Sequence, residues 1–141
     1  LPADVAVMSA AVADWRVDGV ASGKLKKAPG GPPSLALIEN PDILATLSQM
    51  KEKRPALVIG FAAETEKVIE HAVAKRQRKG CDWIVANDVS PATGVMGGDL
   101  NTVHLITREG QEDWPLLPKQ AVAERLARRI ADHFSTAKAA E

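Results

Sequence analysis

The sequence predicts a layered α/β domain built on a parallel sheet, and three observations carry that expectation. The runs Val5–Met8, Leu57–Ile59 and Trp83–Ala86 are apolar without alternation, as strands covered on both faces are. Segments of helical periodicity lie between them, and a strand–helix–strand–helix–strand order implies right-handed crossovers. Each run also stops abruptly in polar residues: Asp14-Trp15-Arg16, Gly60-Phe61-Ala62-Ala63-Glu64-Thr65 and Asn87-Asp88-Val89-Ser90. Open parallel sheets bind ligands beyond the carboxyl ends of their strands, so these endings are the first place to look for a site.

In order, a first strand is read at 4–11 and an irregular stretch at 13–33, which contains Pro29-Gly30-Gly31-Pro32-Pro33. A loop of ~20 residues without secondary structure is uncommon in a compact domain and is usually functional or disordered. A strand at 34–38 follows. Asn40-Pro41 reads as an N-cap with proline at the first helical position. That helix runs to about Lys53, with Ile43, Leu44, Leu47 and Met50 as its apolar face. A strand at 56–62 leads to a helix at 65–79, which buries Val68, Ile69, Ala72 and Val73 and stops at Gly80. Next come a strand at 82–87 and a glycine-bearing loop at 88–101. Strands at 102–107 and 112–116, joined at Glu109-Gly110, form a hairpin. A last helix at 118–134 carries Val122, Leu126, Ile130 and Phe134 at i, i+4 spacing, a packing stripe. The tail 135–141 is expected to be disordered.

The chain has 141 residues, about one domain, with 45% hydrophobic and 26% charged side chains, an ordinary globular balance. Its 18 basic and 18 acidic residues cancel, so net charge points to neither nucleic acid nor membrane. Cys81 is the single cysteine. No internal disulfide is then possible, which agrees with a cytoplasmic location. No apolar stretch approaches the ~18 residues of a membrane span, and no signal peptide is evident. The chain opens without Met almost directly on a strand, as expected of a piece of something longer.

Several residues could carry chemistry. Lys24-Leu25-Lys26-Lys27 lies in the long loop. Three mutually repelling ammonium groups suit an anionic partner, against the plainer reading of a solvated charge run. Lys75 and Lys79 share a helix face, with Arg76 and Arg78 nearby. They read either as a phosphate clamp or as cations serving the helix dipole. Asn40-Pro41-Asp42-Ile43 opens a helix whose free N–H groups could take an anion or a base edge, or simply be capped. Asp14 and Asp88 follow their strands and could hold a ribose hydroxyl or a metal-bound phosphate, or cap a turn. Phe61 could stack on a base or pack in the core. His71, His104 and His133 show no metal-ligand spacing. Glu64 is a candidate general base that nothing nearby specifies. No G-x-G-x-x-G or Walker pattern occurs.

Five motifs stand in a telling order: Ala10-Ala11-Val12-Ala13-Asp14-Trp15-Arg16, Lys24-Leu25-Lys26-Lys27, Asn40-Pro41-Asp42-Ile43-Leu44, Gly60-Phe61-Ala62-Ala63-Glu64-Thr65 and Ala86-Asn87-Asp88-Val89-Ser90. Over residues 3–134 this pattern resembles phosphopantothenoylcysteine synthetase, usually the C-terminal half of a bacterial bifunctional synthetase/decarboxylase of coenzyme A biosynthesis. The resemblance implies a Rossmann-like three-layer fold and a two-step ligation. CTP activates 4′-phosphopantothenate as an acyl-cytidylate with release of pyrophosphate, and cysteine then displaces CMP. Mg2+ accompanies the triphosphate.

Carried over by position, Lys24 resembles the catalytic, nucleotide-binding lysine. Asp14, Pro41, Asp42, Ile43, Leu44, Phe61, Lys75 and Lys79 resemble nucleotide contacts. Asn87 and Asp88 are read as site wall without an assigned role, and no residue is assigned to a metal. The segment 14–33 resembles a flap near a dimer interface, which implies a homodimer.

The family's glycine-rich loop, its first strands and its intermediate-handling asparagine precede the residues seen in this sequence. So does the FMN-dependent decarboxylase domain. The 141-residue chain alone is therefore expected to be inactive. A non-catalytic nucleotide-binding or dimerisation module is the alternative. An NAD(P)-dependent oxidoreductase is disfavoured, because no dinucleotide fingerprint can be placed.

Overall fold

A computed structural model of the chain describes residues 1–9, 12–19, 34–90 and 98–139. Its core is a five-stranded sheet of β1 (Val5–Met8), β4 (Leu57–Glu64), β5 (Trp83–Asp88), β7 (Val103–Ile106) and β8 (Gln111–Asp113), in that spatial order. β2 (Trp15–Val17) pairs with β3 (Leu37–Glu39), and β6 (Leu100–Asn101) with β9 (Leu117–Pro118). The helices are α1 (Ile43–Ser48), α2 (Val68–Lys79) and α3 (Lys119–Ala139).

The unbroken apolar runs are explained by layers on both faces of the sheet. On one face Leu57, Ile59, Trp83, Val85, Val103 and Leu105 pack with Val122 and Leu126 of α3, flanked by Ile130 and Phe134. On the other, Val58, Ala62, Ile84, Ala86 and Ile106 meet Ala72, with Leu44 and Leu47 of α1 and Val68, Ile69 and Val73 of α2 against them. The expected stripes of α2 and α3 are therefore the packing stripes. α2 ends where expected: Gly80 takes φ +75°, a left-handed conformation that costs glycine little, and its N–H donates to the Arg76 carbonyl.

β1, β4 and β5 pair in parallel, and the expected hairpin completes the sheet, with β7 antiparallel to β5 and β8 antiparallel to β7. Three expectations need correction. The irregular stretch 13–33 contains β2, and the strand expected at 34–38 lies at Leu37–Glu39 and pairs with β2 outside the main sheet.

The first helix is shorter than expected and starts later. Its N-cap is Asp42, whose carboxylate accepts the Ala45 N–H, while Asn40 spends its side chain elsewhere. It ends at Ser48, whose carbonyl is taken by the Arg54 guanidinium at 2.8 Å. At the other end of the chain, α3 does not fray at Ser135. It continues to Ala139, with the Ser135 and Thr136 hydroxyls donating to the carbonyls one turn back.

Candidate functional site

β4 has eight residues and β1 four, and Met8 pairs with Gly60. Phe61 and the residues after it therefore project past the described end of β1. The crevice left there is a cleft of about 520 Å³, within the ordinary range for small-molecule sites. Asp14, Pro41, Asp42, Ile43, Leu44, Phe61, Lys75 and Lys79 all line it. Eight of the sequence candidates thus converge at the carboxyl edge of the sheet. Lys24, with the rest of the Lys24–Lys27 motif, lies outside the described residues. Asn87 and Asp88 end β5 half-buried and are not among the lining residues; Asp88 Oδ1 accepts the Ser90 N–H at 2.8 Å.

Asn40 holds the Asp14 turn in place. Its Nδ2 donates to the Ala13 carbonyl at 2.7 Å and its N–H to the Asp14 carbonyl at 2.8 Å, while its Oδ1 accepts from Arg16 at 3.1 Å. The α1 wall is set by two contacts. Gly60 has no side chain, so Leu44 can rest on β4: a Cβ there would lie 2.6 Å from Leu44 Cδ2 and 2.9 Å from Ile84 Cδ1. The second contact is the ion pair between the Lys79 ammonium and the Asp42 carboxylate, which ties α2 to the cap of α1.

Burial pushes the Asp42 carboxyl upward, but the Ala45 N–H, the Lys79 ammonium and the nearby Arg78 together hold it below its ordinary value. A lowered folded-state pKa means that this stabilisation is present above the ordinary carboxylate value and is lost as pH falls below it. The acid limb of thermal stability below about pH 4 should therefore be shallower in Asp42→Asn than in the wild type, as calorimetry across pH 2–6 would register. Superimposable limbs would remove the pair from the stability account.

With Lys79 engaged, the free cations of the cleft are Lys75 and Arg78, neither of which forms an ion pair among the described residues. Arg78, noted in the sequence as a neighbour of Lys75 and Lys79 without a site role, shares their helix face, because positions i, i+3 and i+4 do. Glu39 also lines the cleft and carried no local signal, and Asn40 and Trp15, read within their motifs, line it without having been assigned a site role. Glu64 faces His71 at 3.3 Å instead of the cleft, so its reading as a general base gains nothing. Among the described residues no group of three or more His, Cys, Asp or Glu side chains is arranged to hold a metal ion. None of their helices is long and apolar enough to cross a membrane.

Residues 1–134 match the family described as DNA/pantothenate metabolism flavoprotein C-terminal domain. The chain belongs to this family. Among similar proteins, the coenzyme A biosynthesis bifunctional protein CoaBC of Escherichia coli K12 is 41% identical over 127 residues, 89% of this chain and 31% of that protein. CoaBC of Haemophilus influenzae is 41% identical over 125 residues, 89% of this chain and 30% of that protein. A crystal structure of the C-terminal domain of CoaBC superposes with a TM-score of 0.69 at 34% identity, covering 94% of this chain and 56% of that one. A Streptococcus pneumoniae DNA/pantothenate metabolism flavoprotein, at TM-score 0.55 and 19% identity, shares the fold. The chain spans about a third of the length of the curated relatives it matches. The resemblance read from the five motifs stands, and the flavoprotein C-terminal domain family is the one in which the cleft should be interpreted.

Proposed function

We propose that this domain is the nucleotide-handling part of a CTP-dependent ligase of coenzyme A biosynthesis, which joins 4′-phosphopantothenate to cysteine. The observation that carries the reading is the convergence of Asp14, the turn Pro41–Leu44, Phe61, Lys75 and Arg78 on one cleft. The membership in a family whose relatives include CoaBC supports it.

In the proposed reaction a carboxylate oxygen of 4′-phosphopantothenate attacks the α-phosphorus of CTP, and the bond to pyrophosphate breaks. The cysteine amine then attacks the acyl carbon, loses a proton, and CMP leaves. The first step brings two anions together, so the residues must neutralise charge. A well-placed donor to developing charge is worth roughly 2.7–4 kcal/mol. Lys75 and Arg78 suit the phosphates. The Pro41–Leu44 turn suits the base or ribose better than a phosphate, because the Asp42 carboxylate already occupies that helix start and would repel a second anion. Phe61, half-buried at the cleft, suits stacking.

Magnesium would come in with the triphosphate, since Mg2+ is commonly held by one or two carboxylates plus phosphates. Asp14 and Glu39 are lining carboxylates without an ion-pair partner among the described residues, and Asp14 is the one proposed for this role. A homodimer through the flap region is supported by the β2–β3 ribbon, whose register puts exposed Trp15, Val17 and Leu37 on one face. Cys81, buried and unpaired, suits the cytoplasm.

CTP should raise the thermal midpoint more than ATP or NADP does at equal concentration. No preference among the three in a thermal-shift series would favour a general nucleotide-binding module. In the full-length protein, Lys24→Ala should abolish ligation with an unchanged melting temperature. Near-normal turnover would remove Lys24 from the mechanism.

A further inference from the structure

The opposite end of the sheet carries a second cleft, of about 220 Å³, where β4 and β5 begin. Arg76 of α2, Arg108 of the β7–β8 turn and His133 of α3 converge on it, beside Asp82, Glu109 and Trp83. Arg76 is half-buried, and its Nε is sealed from solvent with no hydrogen-bond acceptor among the described residues. A buried N–H left without an acceptor is costly. Neither Arg76 nor Arg108 forms an ion pair among the described residues.

The two acids present do not fill the gap. Asp82 Oδ2 is engaged by Arg54 at 2.9 Å and by the Val58 N–H at 2.7 Å. Glu109 is drawn to its own backbone N–H and the Thr107 hydroxyl, with Arg108 and His133 acting through space, and its carboxyl is held below the ordinary value. His133 is fixed at the rim by edge-on ring contacts with Trp83 at 5.3 Å and Phe134 at 5.4 Å. Helix-dipole stabilisation accounts for a cation in the last turn of α2 but not for one whose inner N–H is sealed away unpaired.

We propose that this cleft is a second anion site that binds a phosphate group, free or as the end of a phosphomonoester, through Arg76, Arg108 and His133. The guanidinium fork matches tetrahedral oxyanions and would supply the Arg76 N–H with its missing acceptor. The site is independent of the carboxyl-edge cleft and of the function proposed for it.

Calorimetric titration with inorganic phosphate and, separately, methyl phosphate tests this, using protein in which Lys75→Gln and Arg78→Gln silence the first cleft. Saturable binding should persist in that background. Adding Arg108→Gln should weaken it roughly tenfold, the loss expected for one charge-assisted hydrogen bond, and Arg76→Gln should do the same. Arg128→Gln, an exposed change of equal charge on α3, should leave it intact. Tighter binding of methyl phosphate identifies a phosphomonoester end, and tighter binding of inorganic phosphate a free ion. Absence of binding in the background protein, or equal behaviour of Arg108→Gln and Arg128→Gln, overturns the proposal. Arg108 is exposed, so the test does not depend on Arg76→Gln folding.

Discussion

Replacing Lys75 and Arg78 together by glutamine should weaken CTP binding by roughly a hundredfold, because each would lose a charge-assisted contact of about 1.5–3 kcal/mol, partly offset by water. The fold should survive. Glutamine is nearly as good a helix former as lysine or arginine, and the dipole contribution of such cations is only about 0.3–1 kcal/mol each. Parallel CTP titrations and thermal melts separate the two readings of these side chains. A lower melting point with unchanged affinity would mean that they serve the helix alone. Lys79→Gln should behave differently, since Lys79 is tied to Asp42. It should lose affinity through the α1 turn, and it should flatten the acid limb of stability as Asp42→Asn does.

Gly60→Ala should be costly for a methyl group. The added carbon would lie 2.6 Å from Leu44 Cδ2 and 2.9 Å from Ile84 Cδ1, in a strand segment that is fully buried. Overpacking of this kind costs about 1–3 kcal/mol. The Leu44 side chain, which meets the added carbon, has to give way, and the Pro41–Leu44 turn is expected to shift with it. Stability and CTP affinity should therefore fall together. Leu44→Ala added to Gly60→Ala should recover part of the stability without the affinity, because the turn would remain unanchored. Unchanged melting and binding in Gly60→Ala would show that the Leu44 contact does not position the site.

The parts legible in the sequence were those set by periodicity and strand endings. The runs 57–59 and 83–86 are buried on both faces, and the stripe Val122–Leu126–Ile130–Phe134 is the face by which α3 packs. Residues of three motifs, Asp14, Pro41–Leu44 and Phe61, meet at one cleft beyond the carboxyl ends of the parallel strands. The misjudged parts depend on long-range contacts. Asn40 looks locally like a helix cap, yet its side chain bridges to Ala13, 27 residues away. At the end of the short α1 Arg54 captures the Ser48 carbonyl, and the β2–β3 ribbon pairs residues 20 to 24 positions apart. Arg76 and Arg78 are two apart in sequence and line opposite clefts, which only the helix packing reveals.

The central claim is that CTP occupies the carboxyl-edge cleft. Amide and side-chain NMR shifts recorded during a CTP titration test it most directly. The account predicts saturable changes concentrated at Asp14, Ile43, Leu44, Phe61, Lys75 and Arg78, with the β7–β8 hairpin unaffected. Changes confined to other surfaces, or none at saturating CTP, would contradict it.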